Sequence, residues 1–323
     1  MNRLLDSLAV MLGRAPKKPT QFSPEAQVIA AAQGSKEGKA LRKQLIREER
    51  EGSYQSHFWR NWRWISIVVV NLLFVLSFRA DIQVVEGALT GSRFVGFHMA
   101  DLNSALQVML AYKHILVNLV IGTGTVIFLW WLLGGRTFCS WVCPYHLLAE
   151  LAEKVHLRLA ARGLVKDHQL HRGVRTLLYV VFAALAFGSG YTVFEVISPV
   201  GILSRGFTYG ATLALLWVAF LLLIEIVYSR RFWCRYICPI GMTYGFVGAF
   251  SPVRIVYTLN NCLHEGKCRD VCMVPHVLEM TKIGYADDVR IDIGADCTRC
   301  GMCVEVCPTK ALAFDIRGLS SLL

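Results

Sequence analysis

The sequence predicts an α-helical integral membrane protein with four transmembrane helices in two pseudo-symmetric pairs, and a small α+β domain at its C-terminal end. Three observations favour this fold class. The 323 residues are 54% hydrophobic with a mean hydropathy of +0.45, which is too apolar for a soluble domain. Two pairs of apolar segments end in the same cysteine pattern. Seven of the 11 cysteines lie after residue 260 at metal-ligand spacings, which argues against a disulfide framework.

The N-terminal segment, residues 1–58, is predicted to be cytoplasmic. Residues 1–14 place apolar side chains on one helical face, which fits a helix on the membrane surface or on a partner, and equally a short helix packed on the protein's own body. Residues 15–32 are predicted to be irregular, and residues 36–51 to form a charged, solvated helix. A signal peptide is not predicted, because the apolar stretch is short and a long polar segment follows it.

A membrane domain is predicted for residues 59–250, because four apolar segments there are long enough to span a bilayer. They cover residues 62–78, 114–133, 174–193 and 209–228. Lys and Arg concentrate before the first span, between the second and third, and after the fourth. Both termini are therefore predicted to be cytoplasmic, and the net charge of +11 is a topology signal that assigns no nucleic-acid partner.

The loop between the first two spans predicts a further helix at residues 101–113. Its apolar residues recur at helical spacing, which favours a helix lying on the outer membrane surface. Glu195 and Glu225 fall near the ends of the third and fourth spans, where we expect them to be solvated or paired. A haem is not predicted, because His114 lies at a span edge without a clear second histidine ligand.

The second and fourth spans end in one repeated pattern, F-C-S-W-V-C-P at residues 138–144 and W-C-R-Y-I-C-P at residues 233–239. On a helix, Cys139 and Cys143 would lie on one face, as would Cys234 and Cys238. A pseudo-two-fold axis would bring the four thiolates together, which is what one four-iron cluster or a tetrahedral metal requires. Two separate dithiol pairs, or small buried residues without chemistry, are the alternatives.

The C-terminal region, residues 251–323, carries the most specific motif in the chain. Residues 297–308 read C-x2-C-x2-C-x3-C-P, in which three cysteines wrap one corner of an iron–sulfur cube and the fourth ligates a second cluster. A zinc knuckle also uses cysteine pairs, but it lacks the third cysteine at this spacing and the Cys-Pro ending. The motif therefore predicts a two-cluster domain like that of bacterial ferredoxins.

An incomplete copy of this motif lies upstream, at residues 261–275. Glu265 stands where the second cysteine belongs, and Met273 replaces the usual proline. Cross-ligation assigns one [4Fe-4S] cluster to Cys297, Cys300, Cys303 and Cys272, and the other to Cys262, Cys268 and Cys307. Glu265 or a solvent molecule would fill the open corner. In the alternative, Glu265 is a solvated loop residue and this cluster has three irons, as [3Fe-4S], or is lost.

Together these motifs, with V-P-H-V-L inside the two-cluster domain, resemble the family of NapH-type membrane ferredoxins, which includes MauN and the C-terminal part of NosR. The resemblance covers about residues 59–316. It implies a bacterial cytoplasmic-membrane protein that takes electrons from quinol and passes them through a NapG-like iron–sulfur protein to a terminal reductase. It implies cluster ligation by the seven C-terminal cysteines and redox importance for the four in the membrane domain. Glu265 departs from the family pattern, and the N-terminal segment is longer than usual.

Two functions fit these features. The first is the electron-transfer subunit of a quinol dehydrogenase complex. The second is a maturation factor that donates electrons or thiols to a metalloenzyme. A metal transporter or thiol sensor would leave the ferredoxin-like domain unexplained. Proton acceptors for quinol oxidation are suggested only by position on the outer side, at His98, Asp101, His114 and Glu195.

Overall fold

The computed structural model describes residues 2–35, 40–41, 43–47, 57–80, 85–94 and 97–319. The helices before the C-terminal domain are α1 (Asn2–Met11), α2 (Pro24–Gly34), α3 (Phe58–Arg79), α4 (Leu102–Tyr112), α5 (Val117–Leu133), α6 (Thr137–Trp141), α7 (Pro144–Ala161), α8 (Gly173–Ser189), α9 (Val193–Ile197), α10 (Pro199–Tyr209), α11 (Ala214–Val227) and α12 (Ile240–Ala249), with a π-helical turn at Trp233–Ile237. We keep the name membrane domain for the region from α3 to α12, which the sequence predicts to span the bilayer. Strands β1 (Val85–Ala88), β2 (Gly91–Phe94) and β3 (Phe97–Ala100) form an antiparallel sheet between α3 and α4.

The N-terminal helix α1 packs on the protein's own body, the second of the two alternatives that its sequence left open. Met11 is buried against Met242 and Ala295. The amide of Ala295 donates a hydrogen bond to Ser7 Oγ at 2.7 Å. At the other end of α1, Arg175 donates to the Met11 carbonyl at 2.7 Å, which satisfies one of the free carbonyls of the last turn.

The prediction that residues 15–32 are irregular was wrong from Pro24 onward. Ser23 caps α2 by accepting a hydrogen bond from the Ala26 amide at 3.2 Å, and Pro24 suits the first helical turn. Ala26 is fully buried against the C-terminal domain. The charged helix predicted for residues 36–51 lies largely outside the described residues.

One of the four predicted spans is confirmed as a helix long and apolar enough to cross a membrane. This is α3, with 22 residues. The other three correspond to the shorter apolar helices α5, α8 and α11, of 17, 17 and 14 residues. Large apolar side chains point outward from these four helices, including Leu73, Phe128, Phe187 and Leu216, each more than half exposed.

The helix after the β1–β3 sheet does not lie on a surface, contrary to the sequence-based prediction. Helix α4 packs between α8, α5 and α12. Asn103, Ala105 and Gln107 are buried, and Gln107 accepts a hydrogen bond from the Phe194 amide at 3.2 Å. The periodicity of the apolar residues was misleading, because the polar residues between them find partners inside the bundle.

The second half of the membrane domain repeats this arrangement. Helix α10 lies between α8 and α11 in the chain, as α4 lies between α3 and α5. Val200, Ile202 and Leu203 of α10 are buried against Phe138 and Trp233. Each half therefore contains an apolar helix, a short internal helix, a second apolar helix, a cysteine pair and a closing helix.

The C-terminal domain is α+β. Strands β4 (Val253–Thr258), β5 (Arg290–Asp292) and β6 (Leu312–Ile316) form an antiparallel sheet in the order β5-β4-β6, with Val256 opposite both Asp292 and Ala313. Short helices α13 (Lys267–Asp270) and α14 (Met302–Glu305) and two 3₁₀ turns (Leu259–Asn261 and Pro275–Thr281) carry the cysteine loops. Ile255, Tyr257, Leu278 and Leu312 form its buried core.

Asp296 joins the C-terminal domain to the membrane domain. Its buried carboxylate accepts Arg136 Nη1 at 2.6 Å, Arg175 Nη2 at 3.0 Å and His276 Nε2 at 2.8 Å, and Arg172 Nη2 lies 3.5 Å away. Burial raises the pKa of this carboxyl, but Arg136 and Arg175 outweigh burial and hold the pKa well below its ordinary value. Burial also lowers the pKa of His276 to about 4. Asp296 is therefore an anion shared by the guanidinium groups of Arg136, Arg172 and Arg175.

The loop that follows Asp296 is fixed against the first cysteine pair. Arg299 donates to the carbonyls of Val253 at 2.8 Å and Gly248 at 2.7 Å. Ser140 donates to the Thr298 carbonyl at 2.7 Å. Gly301 has φ of 78°, and a Cβ there would lie 2.6 Å from the Trp59 ring, so only glycine fits this contact with α3.

Replacing Asp296 with Asn should destabilise the junction, because the buried Arg136 and Arg175 and the partly exposed Arg172 would lose their shared anion. Removing one partner of a buried ion pair costs about 3–5 kcal/mol. Thermal unfolding of the full chain in detergent, with hydrogen exchange of residues 294–313, measures the effect. Asp292→Asn is the matched control, since its side chain is 41% exposed and exposed pairs contribute about 1 kcal/mol or less. Equal losses in the two variants would contradict this role for Asp296.

Candidate metal centre

The seven C-terminal cysteines lie near one another. Cys272 lies within electrostatic range of Cys297 and Cys300, and Cys303 within range of all three. Cys268 lies within range of Cys262 and Cys307, and also of Cys272 and Cys303. The structure thus places the cysteines of both predicted ligand sets close together. The ligation itself stays a prediction.

Both groups suit a cationic cofactor. Burial raises the pKa of Cys272 and of Cys303 well above the ordinary thiol value, and neighbouring cysteines add to the effect. Metal ligation requires thiolates, and thiolates packed this closely repel each other unless bound iron compensates their charge.

The two cysteine loops share one backbone conformation. His264 and Gly266 have φ of 51° and 87°, and Arg299 and Gly301 have φ of 49° and 78°. The backbone amides of His264 and Arg299 each point at the preceding cysteine sulfur, at 3.4 Å. Counted along these matched loops, Glu265 occupies the place of Cys300.

Glu265 is buried, which contradicts the alternative of a solvated loop residue. Its side chain is only 10% exposed, and neither carboxylate oxygen has a hydrogen bond in the described part of the chain. Lys267 Nζ lies 3.5 Å from Oε2. A buried carboxylate with free oxygens, at the position of a cysteine ligand, has the chemistry of a hard iron ligand.

Met273, which replaces the motif's proline, marks a polar cluster that the sequence did not reveal. Its sulfur lies 2.9 Å from His146 Nε2 and 3.3 Å from Arg63 Nη1. Arg63 is fully buried and pairs with Glu150 at 2.5 Å. Arg63 lies in the first predicted span. The sequence signal for this cluster was the position of a charged residue inside an apolar segment, which favours a buried partner.

The membrane-domain cysteines do not share helices, contrary to expectation. Cys139 lies in α6 and Cys234 in the π-helical turn, but Cys143 and Cys238 adopt extended conformations at φ/ψ of −66°/117° and −64°/110°. The chain turns between the two cysteines of each pair, because the proline that follows each pair, Pro144 or Pro239, suits the start of a new helix. The two pairs nevertheless have closely matched backbone geometry, as the sequence repeat suggested.

The structure brings all four of these cysteines to one cavity of about 570 Å³. Cys143 lies within electrostatic range of Cys139 and Cys238, and Cys234 within range of Cys238 and Cys143. Cys272 and Met273 of the C-terminal domain line the same cavity. Throughout the described residues, no three His, Cys, Asp or Glu side chains converge closely enough to hold a single metal ion.

Arginines outnumber carboxylates around this cavity, whose lining also includes Glu153, Asp270, Glu279 and Asp296. Its lining includes Arg136, Arg172, Arg175, Arg230, Arg231, Arg235 and Arg269. The first amides of α7 point at Cys143, and those of α12 point at Cys238. Helix N-termini and arginines both stabilise negative charge, and a cluster with four thiolate ligands carries net negative charge. The surroundings therefore fit an anionic iron–sulfur cluster.

Glu225 was expected to be solvated or paired, and it is paired deep in the domain. It is fully buried, and its Oε1 accepts the Tyr145 hydroxyl at 2.9 Å and the Trp233 amide at 3.2 Å. Because Tyr145 and Trp233 follow and precede cysteines of different pairs, Glu225 ties the two repeats together. The sequence signal was its place within an apolar helix.

The outer-side candidates fall into different surroundings. His114 is exposed, and the side chain of His98 lies outside the described part of the chain. Asp101 and Glu195 are both within reach of the Ser104 hydroxyl. The four residues were chosen from their positions along the chain. The fold shows that two of them, Asp101 and Glu195, lie close to one hydroxyl group.

Comparison with family models gives independent support for iron–sulfur chemistry. Residues 116–162 and 211–255 both match one 4Fe-4S binding domain model, Fer4_5. These two segments contain the two cysteine pairs, so one model recognises both halves of the repeat. Residues 294–313 match a second 4Fe-4S binding domain model, Fer4.

Similarity to individual proteins extends over most of the chain. The ferredoxin-type protein MauN of Methylorubrum extorquens is 28% identical over 84% of this chain and 93% of its own length. Ferredoxin-type NapH proteins are 29% identical, covering 83% of this chain and 93% of the Haemophilus influenzae protein or 94% of the Escherichia coli protein. No solved structure matches the chain. Over most of its length, the chain is a homologue of the NapH and MauN ferredoxin-type proteins and carries 4Fe-4S binding domains.

Proposed function

We propose that this iron–sulfur electron-transfer protein is the membrane subunit of a quinol dehydrogenase complex, passing electrons from the quinol pool to a partner iron–sulfur protein and a terminal reductase. One observation carries the proposal. The cavity that gathers Cys139, Cys143, Cys234 and Cys238 is also lined by Cys272 of the C-terminal domain. A redox centre at the membrane cysteines would therefore adjoin the first cluster of the ferredoxin-like domain.

Three groups of residues would hold the clusters. Cys139, Cys143, Cys234 and Cys238 would hold one between the repeats. Cys272, Cys297, Cys300 and Cys303 would hold the second, and Cys262, Cys268 and Cys307, with Glu265, the third. When bound, such clusters supply one-electron transfer. The arginines around the cavity hold the thiolate charge, and the arginines that bind Asp296 keep the second group beside the first.

The partners follow from relatives and surface chemistry. The resemblance to NapH supports a NapG-like iron–sulfur partner and a terminal reductase, whereas MauN relatives carry methylamine utilisation in their name. Exposed apolar side chains on α3, α5, α8 and α11 support placement in the lipid of the bacterial cytoplasmic membrane. The matched repeats support four transmembrane helices in two pairs.

Both termini should face the cytoplasm, because Lys and Arg flank the same side of the predicted spans. A cytoplasm-active reporter fused after Leu323 should be active, and the same reporter fused after Lys113, on the opposite side, should be silent. An active reporter after Lys113 and a silent one after Leu323 would reverse the topology and the electron path.

The four membrane cysteines should act as one unit. Replacing any one with Ser should remove the same spectroscopic signal and should abolish quinol reduction of the C-terminal clusters as fully as replacing all four. Dithionite, which reaches those clusters directly, should still reduce them. EPR of the full chain, with duroquinol or dithionite as reductant, measures both effects.

Thr243→Ala is the matched control, because Thr243 lies near Cys238 and, within the described residues, its hydroxyl donates only to carbonyls of its own turn. If the two pairs behaved independently, separate dithiol chemistry would replace the shared cluster. If quinol failed to reduce the intact chain and a metalloenzyme co-purified with it, the maturation-factor hypothesis would be preferred.

Glu265→Cys should convert the third cluster to an ordinary four-cysteine form, because the two loops already share one conformation. EPR and iron analysis of the anaerobically purified full chain measure the change. Asp6→Cys is the control, since the Asp6 side chain on α1 is 72% exposed and pairs with Arg14. Unchanged iron content and an unchanged spectrum in Glu265→Cys would show that Glu265 does not face the cluster.

A further inference from the structure

Helix α2 of the N-terminal segment lies against the candidate site of the third cluster. Ala26 is fully buried, and Ile29 packs on the same apolar core as Cys262. The amide of Ser23 donates to the Asp287 carbonyl at 2.8 Å, which fixes the start of the helix on the C-terminal domain. These contacts already anchor α2, so the polar contacts made by its last turn need a separate explanation.

Gln33, in the last turn of α2, reaches the loop that begins at Cys262. Its amide nitrogen donates to the Leu259 carbonyl at 3.3 Å and to the Cys262 carbonyl at 3.5 Å. Its amide oxygen then faces the ring of His264, 2.9 Å from Nε2. One glutamine side chain therefore contacts both the backbone of this loop and the imidazole ring that the loop carries.

The His264 ring lies beside the sulfur of Cys262. Its Nδ1 is 3.7 Å from Cys262 Sγ and donates to the Thr281 carbonyl at 2.8 Å, since a carbonyl oxygen can only accept. Oxygen atoms from two different parts of the chain thus hold the two ring nitrogens. Loss of Gln33 would remove one of these two contacts, which together fix the plane of the ring.

The other cysteine loop of the domain places a cation at the matching position. Arg299 follows Cys297 as His264 follows Cys262, with nearly the same φ, and its guanidinium lies within electrostatic range of the Cys297 sulfur. Arg299 is also held from outside the C-terminal domain, because it donates to the Gly248 carbonyl of α12 at 2.7 Å. Both loops therefore carry a nitrogen-bearing side chain beside their first cysteine, and another part of the chain holds it there.

We propose that Gln33 is a positioning residue of the third cluster, which holds His264 beside Cys262 and so sets the reduction potential of that cluster; this rests on the proposed function. The reduced cluster carries one more negative charge than the oxidised cluster. N–H groups and positive charge near the cysteine sulfurs stabilise it and raise the potential. Release of the ring should therefore lower the potential of this cluster and of no other.

A variant and a matched control separate this role from the packing of α2. Gln33→Met keeps the length and the helix propensity of glutamine but removes both polar atoms of the amide. Gln27→Met is the control, because Gln27 is an exposed glutamine of the same helix that donates to the Phe22 carbonyl at 3.3 Å. His264→Asn removes the ring, and asparagine tolerates the φ of 51° at this position.

EPR-monitored redox titration of the full chain in detergent measures the midpoint potential of each cluster, and the signal that Glu265→Cys alters identifies the third. Gln33→Met should make reduction of the third cluster about 10-fold less favourable, the low end of the effect of losing a group that orients a ligand. This is about 59 mV for a one-electron couple. The other two potentials should not change.

The double variant tests whether Gln33 acts through His264. Gln33→Met added to His264→Asn should lower the potential no further than His264→Asn alone, because residues of one hydrogen-bonded network are not additive. Should Gln33→Met fail to take up the third cluster, His264→Asn supplies the same test with α2 intact, and its potential should fall by at least as much.

The proposal fails if Gln33→Met or His264→Asn titrates like the wild type, or if Gln27→Met shifts the third potential as far as Gln33→Met does. It also fails if the effects of Gln33→Met and His264→Asn add, or if all three potentials shift together, as a general loss of structure would cause. A wild-type chain whose iron content leaves no third cluster would instead overturn the cluster assignment of the proposed function, and this proposal with it.

Discussion

The shared anion at Asp296 is the interaction on which the rest of the structure depends. It gathers Arg136, which immediately precedes α6, Arg175 of α8 and a histidine from the cysteine-rich domain. Burying one carboxylate among several cations is costly unless the carboxylate itself is satisfied, and here both oxygens of Asp296 accept hydrogen bonds. Because Asp296 immediately precedes Cys297, the same contact sets the distance between the two candidate redox regions. An electron path thus depends on an ion cluster that carries no electrons.

Charge compensation is the wider theme of the molecule. The large central cavity is lined by arginines and receives helix N-termini, while its cysteines are buried in an otherwise apolar domain. Several of these arginines also pair with carboxylates, Arg136 and Arg175 with Asp296 and Arg231 with Glu153. Because only the fold brings the cysteines together, binding of a cluster and folding would be coupled, as in other metalloproteins. Loss of the cofactor should lower the stability of the folded protein as well as its electron-transfer activity.

Local spacing predicts the ligand sets of the C-terminal domain, and the repeated pattern predicts the meeting of the two membrane-domain pairs. The structure brings these cysteines near one another, and which of them bind a cluster stays a prediction. Asp296 and Met273 could not be found in this way, since their partners lie far away in sequence. Met273 and Arg63, for example, are 210 residues apart. Helix α4 was misplaced because amphipathic periodicity cannot distinguish a water-facing polar side chain from one that hydrogen-bonds inside a bundle, as Gln107 does. The shortness of α8 and α11 was also invisible, because apolar composition continues past the helix ends.

The contact of Gly301 with Trp59 bears on how the protein is made. Trp59 belongs to α3, and Gly301 lies in a loop that is made more than 200 residues later in the chain. Arg63, one turn further along α3, likewise contacts the sulfur of Met273, which is synthesised much later. Contacts between such distant parts of a chain form slowly, since most of the chain must be synthesised before they can close. During that interval a buried arginine of the first helix has no sulfur to face, so the nascent chain is most vulnerable to proteolysis before its cysteine-rich end emerges.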